Sequence, residues 1–164
     1  MGSSNSMRHS FLVLFVLCAL HGFATHIVGG EMYYTSLGND DYQVTLKLYR
    51  DCGPGNTNNT ALDPQAAIGV YNSTNGLYTT TTFYLPAELS VPLDLGNPCL
   101  TAPPTLCAKE GIYTGVIHLP SGTGGYTLAY QRCCRTPTIL NLNNAGAQGL
   151  TCWIKVPDTN VSGA

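Results

Sequence analysis

Charge is what this sequence has least of. Only 7 basic and 9 acidic side chains occur among 164 residues, for a formal net charge of −2. No stretch concentrates Lys and Arg, so there is no cationic surplus to neutralise phosphate, and nucleic acid is not an expected partner. Helical periodicity is missing too. After residue 24 no window repeats apolar residues at i, i+3, i+4 and i+7 over helical length, which argues against a helical domain. There is no C-x-x-C pair and no Cys/His cluster at ligand spacing, so neither a zinc centre nor any other cofactor is expected. Asp40, Asp41, Asp51 and Asp63 do not keep the spacing of a calcium loop and read as solvated loop carboxylates.

Catalytic constellations fare no better. Ile27-Val28-Gly29-Gly30 looks like the freed N-terminus of an activated serine protease, but no Gly-Asp-Ser-Gly-Gly or Ala-Ala-His-Cys motif accompanies it, so no triad can be assembled. The glycine-rich Ser121–Gly125 lacks the Lys and the following helix of a phosphate loop and reads as a hairpin turn. Glu88, Asp94 and Glu110 show no paired acid–base spacing. The expectation is a protein that is not an enzyme.

One apolar run is present. Phe11–Leu20 follows Arg8 and His9 and ends near Gly22-Phe23-Ala24, the order of a secretory signal peptide. Residues 1–24 are therefore expected to be removed on export, leaving 25–164 as a single domain with no transmembrane segment and a secreted or outer-surface location. Leu17 is too bulky for a lipoprotein site at Cys18. Cleavage leaves Cys52, Cys99, Cys107, Cys133, Cys134 and Cys152, an even set in an exported chain, for which disulfides are the default.

What the mature chain has in abundance is Gly, Pro, Tyr, Thr and Asn, the material of short strands and frequent turns. Tyr42–Tyr49 alternates cleanly, with Tyr42, Val44, Leu46 and Leu48 facing one way. Strands are also expected at 31–34, 66–71, 77–85, 111–119 and 150–156, the second and third joined as a hairpin through Asn75-Gly76. Pro86 and Pro92 bracket a short edge strand or loop. The spacing predicts an all-β, immunoglobulin-like β-sandwich stapled by disulfides, with a small closed barrel as the alternative.

Gly125–Arg135 is the most informative stretch. Tyr126, Leu128, Tyr130, Arg132 and Cys134 share one strand face, while Cys133 looks the other way. Both cysteines oxidised would staple this strand on two sides; one bridge with a free thiol, or a ring between the neighbours, are the alternatives. Loop closure favours Cys99 with Cys107. Strand parity then favours Cys52 with Cys134, leaving Cys133 with Cys152. Arg50, Tyr130, Arg132 and Arg135 are candidate binding residues at one end of the domain. The opposing reading has the arginines packed over aromatics and paired with a carboxylate such as Asp51.

Four segments, Thr25–Glu31, Val44–Cys52, Asn97–Leu100 and Tyr130–Arg135, together resemble the N-terminal region of large exported surface proteins of Bacteroidetes. Those proteins carry PKD repeats and gliding-motility-associated C-terminal sorting domains. The resemblance implies an adhesin-like module exported by the type IX route, with protein or surface polysaccharide as partner and no catalytic residues. The chain stops at Ala164 without a PKD repeat or sorting domain, so it is expected to be the N-terminal module of a longer protein. A carbohydrate-binding module of a secreted polysaccharide-degrading protein is the alternative.

Overall fold

The computed structural model describes residues 27–54, 61–92, 99, 105–122 and 124–158. The expected signal peptide and most of the proline-rich segment before Cys107 lie outside the described residues. Eight strands follow one another: β1 (Ile27–Gly38), β2 (Asp41–Asp51), β3 (Gln65–Asn72), β4 (Leu77–Tyr84), β5 (Glu88–Ser90), β6 (Ala108–His118), β7 (Tyr126–Cys133) and β8 (Gly149–Val156). They form two antiparallel four-stranded sheets, ordered β1-β2-β6-β5 and β4-β3-β7-β8. Taken in chain order as A, B, C, C′, D, E, F and G, this is an ABED sheet facing a C′CFG sheet, the immunoglobulin-type arrangement. The two sheets stay separate, so the closed-barrel alternative is set aside.

Period-two alternation does most of the folding work. On β2 Tyr42, Val44, Leu46 and Leu48 are buried, as are Ile68 and Val70 on β3, Leu128 and Tyr130 on β7, and Leu150, Cys152 and Val156 on β8. These inner faces make one continuous core, because alternation with the strand pleat hides half of each strand without hiding its polar half. Phe83 of β4 closes the core across the sandwich against Gly115 of β6, where a Cβ would fall 2.2 Å from the ring. Only glycine leaves room for that approach.

Tyr126, the first residue of β7, donates from its hydroxyl to the Pro120 carbonyl, 3.1 Å away. A tyrosine at the start of strand F bonding back across the E–F connection is the tyrosine corner of such sandwiches. Antibody domains carry a cysteine two residues further on; here that position is the fully buried Leu128.

Two expectations need correcting. Ser121–Gly125 is not a hairpin turn, because β6 and β7 belong to different sheets and the segment crosses between them. Gly122 and Gly124 there donate their N–H groups to the Asp158 carboxylate at 2.9 and 2.8 Å, which ties the crossing to the end of β8. The first strand runs from Ile27 to Gly38 rather than 31–34. Its pairing with β2 lets residues with no alternation of their own join the sheet, so cross-strand partners override a weak local pattern.

Candidate functional site

The bridges differ from every pairing that strand parity suggested. Cys52 is joined to Cys107, not to Cys134, and Cys107 is therefore not the partner of Cys99. The reason is register. The β2–β6 ladder ends at Asp51 opposite Ala108, so the next facing pair is Cys52 and Cys107, with Cα atoms 4.9 Å apart and the Cys52 N–H donating to the Cys107 carbonyl at 3.0 Å. Cys133 and Cys134 form a ring with each other, so β7 is not stapled on two sides. Regular strand geometry stops at Cys133, and Cys134 has φ +86°, which voids the parity assigned to it.

Cys152 does not reach Cys133 either, since Cys133 faces Gly149 while Cys152 faces Tyr130. Cys152 is a buried thiol beneath β1, close enough to Gly30 that a Cβ there would fall 3.0 Å from its Sγ. Burial pushes its pKa up, which keeps it a neutral core side chain.

The candidate arginines are mostly consumed inside the fold. Arg50 continues the buried face of β2 and is 5% exposed. Its Nε donates to both Glu88 carboxylate oxygens at 2.9 and 3.0 Å, and its Nη2 to Oε2 at 2.7 Å. Glu88 also accepts the Leu62 N–H at 2.6 Å and has Lys109 at 3.9 Å. Arg132 pairs at 2.9 Å with Asp63 rather than with Asp51, and the Tyr113 hydroxyl donates to the Asp63 carbonyl at 2.7 Å. Two arginines, one from each sheet, therefore pin the stretch before β3. Tyr130 is 4% exposed, and burial pushes its pKa up to about 12. Neither Arg50 nor Tyr130 offers a partner any surface. Arg135 is half-buried, and its Nε donates to the Gly149 carbonyl at 3.0 Å.

Burial alone would raise the pKa of Glu88, but the Arg50 hydrogen bonds, the Leu62 N–H and the nearby Lys109 outweigh it and hold the carboxyl below its ordinary value. A folded pKa lower than the unfolded one stabilises the native state above the ordinary glutamate range and loses that contribution as pH falls through the folded value. Thermal melts are thus expected to show stability falling as pH drops below about 4.3, the unperturbed glutamate pKa, with a shallower acid limb in Glu88→Gln.

Arg50 and Arg135 do share one end of the sandwich. Ile27 faces Arg50 across β1–β2 and bridges to Arg135, and its carbonyl accepts the Thr136 N–H at 3.1 Å. Around that junction lie two adjoining open grooves. One, of 550 Å³, is lined by Val28, Leu106, Cys107, Thr136 and Ile139 among others. The second, of 510 Å³, shares Val28 and Ile139 and adds Arg135 and Leu142. Both bridges therefore stand at the end of the domain where large apolar side chains are exposed: Val28 at 42%, Leu106 at 45% and Leu142 at 37%, with Leu140 at 98% next to Ile139. Sequence reasoning missed this because Leu140 and Leu142 sit in a polar loop with no strand pattern.

A second surface lies on the outer face of the β4-β3-β7-β8 sheet. Trp153 of β8 is 59% exposed and is in register with Ala129 of β7, which is in register with Gly69 of β3. The Tyr71 ring leans over Gly69, where a Cβ would meet it at 2.9 Å. Two rings thus border a low strip of small residues. Among the described residues no group of three or more His, Cys, Asp or Glu side chains is placed to hold a metal, and no helix is long and apolar enough to cross a membrane. Comparison with family models, curated proteins and solved structures finds no match to this chain.

Proposed function

We propose that this chain is a non-enzymatic extracellular recognition module of a cell-surface protein, adhesin-like in role, whose contact surface is the disulfide-bearing end. The observation that carries the reading is that exposed Val28, Leu106 and Leu142 line the two grooves, with exposed Leu140 following the lining residue Ile139 in the chain. Contiguous exposed apolar surface of this kind marks protein contacts in soluble domains, and the neighbouring bridges fix the groove walls before binding, which limits the ordering cost. The resemblance to exported Bacteroidetes surface proteins, with their type IX and gliding-associated context, supports the same reading.

Labelled purified protein is expected to bind saturably to the surface of the cells that export it. Leu140→Asp with Leu142→Asp should weaken that binding about tenfold or more, as loss of a buried apolar anchor does, with an unchanged melting temperature. Equal binding by wild type and variant would remove the groove from the account.

Surface polysaccharide is a second reading, favoured by the strip between Trp153 and Tyr71, since exposed rings supply apolar contact area with a polar edge. Trp153 is the only tryptophan, so its fluorescence reports directly on that face. A shift on adding soluble polysaccharide, lost in Tyr71→Ala, would move the contact surface there.

A further inference from the structure

We propose that β4 is a dimerisation edge, through which two copies of this chain pair antiparallel along Leu77–Tyr84 and join their β4-β3-β7-β8 sheets into one eight-stranded sheet. The sandwich has four edge strands, β1 and β5 on one sheet, β4 and β8 on the other. An exposed edge offers unpaired backbone groups to any other strand, and proteins blunt such edges with short length, proline, charge, bulges or cover.

Three of the four edges here are blunted in these ways. β5 is three residues long and is bracketed by Pro86 and Pro92. β1 carries Glu31 and has register shifts at both ends. β8 carries Lys155 and is flanked by β1, whose Gly30 approaches Cys152. β4 is different. It is eight residues long, Leu-Tyr-Thr-Thr-Thr-Thr-Phe-Tyr, with no charge and no proline, and all but Thr81 and Phe83 are exposed. Its one irregularity, between Val70 and Tyr71 on β3, falls at its start and leaves Thr79–Tyr84 in regular register.

The strand's own composition selects a second copy as the occupant. Pairing identical antiparallel strands about an axis normal to the sheet keeps like faces together, so residues of the same parity meet. Whether the axis passes Thr80 or Thr81, threonines then face threonines, a favourable cross-strand pair, and no like charge opposes another. Exposed Leu77, Tyr78 and Tyr84, at 61%, 51% and 65%, flank the threonine run and add apolar area at both ends. The net charge of −2 raises little long-range repulsion between copies. Such a contact is isologous and closes at two. It also points the two disulfide ends in opposite directions.

Light scattering after size exclusion, with thiols alkylated to prevent intermolecular bridges, tests this. The wild-type protein is expected to move from one-chain to two-chain mass as its concentration rises. Thr80→Lys with Thr82→Lys should raise the dissociation constant about tenfold or more without changing the far-ultraviolet circular dichroism. Thr80→Glu with Thr82→Glu should do the same, and an equimolar mixture of the two variants should recover two-chain mass. A wild type that stays at one-chain mass at every concentration overturns the proposal, as does two-chain mass that survives the lysine pair or a mixture that fails to recover it. Groove binding is not involved in any of these readouts, so the two proposals fail independently.

Discussion

Replacing Cys52 and Cys107 together by alanine is expected to destabilise the protein by about 4 kcal/mol, the entropy recovered by an unfolded chain released from a closed loop of this length. The bridge spans 55 residues, enclosing β3, β4 and β5 in the loop it closes. Against a typical net stability of about 5–15 kcal/mol, that loss moves the urea midpoint far enough to be measured without ambiguity. Cys133→Ser with Cys134→Ser provides the contrast, because a bridge between sequence neighbours closes no loop and constrains the unfolded chain little. Its removal is expected to leave the midpoint nearly unchanged while altering the end of β7 locally. Equal losses for the two double variants would mean that the loop closed by the long-range bridge is not the source of its stabilisation.

Arg50→Met is the other change with a large expected effect. It leaves Glu88 with 12% of its side chain exposed and without its bidentate partner. Breaking a buried pair from one side costs about 3–5 kcal/mol, because the remaining charge has been stripped of water and is no longer compensated. Lys109, at 3.9 Å, is placed to recover part of that. Replacing both members, Arg50→Met with Glu88→Met, should cost clearly less than the single change, since two apolar groups of similar volume need no partner. Equilibrium unfolding of the two singles and the double gives the coupling directly. Additive losses would show that the pair is not an interacting unit.

Strand positions and their buried faces were legible because a two-residue period leaves a mark in any sequence that hides one side of a sheet. Tyr42, Val44, Leu46 and Leu48 could be placed inward from the sequence alone, as could Leu128, Tyr130 and Cys152. Arg50 was on that face too, and its parity was a signal in its own right: a guanidinium two residues beyond Leu48 on a buried face requires a carboxylate. The sequence did not say which one. Glu88 lies 38 residues away on a three-residue strand, a distance that only topology closes.

Disulfide connectivity failed for the same reason. Parity states which way a side chain points, but register states what it meets, and the meeting of Cys52 with Cys107 depends on β2 pairing with β6 across three intervening strands. Loop-closure entropy favoured Cys99 for Cys107 because it counts chain length and ignores a ladder already formed. The exposed leucines after β7 left no periodic trace. They follow the point where Cys134 takes a positive φ and the strand ends, and beyond that point no period constrains which side chains face water.

Non-reducing peptide mapping of the purified protein decides whether the disulfide-bearing end is built as described. The expected fragments link Cys52 to Cys107 and hold Cys133 and Cys134 in one peptide without a thiol, and Cys152 becomes alkylated only after unfolding. A peptide linking Cys99 to Cys107, or Cys152 to Cys133, would contradict it and dismantle the groove on which the recognition role rests.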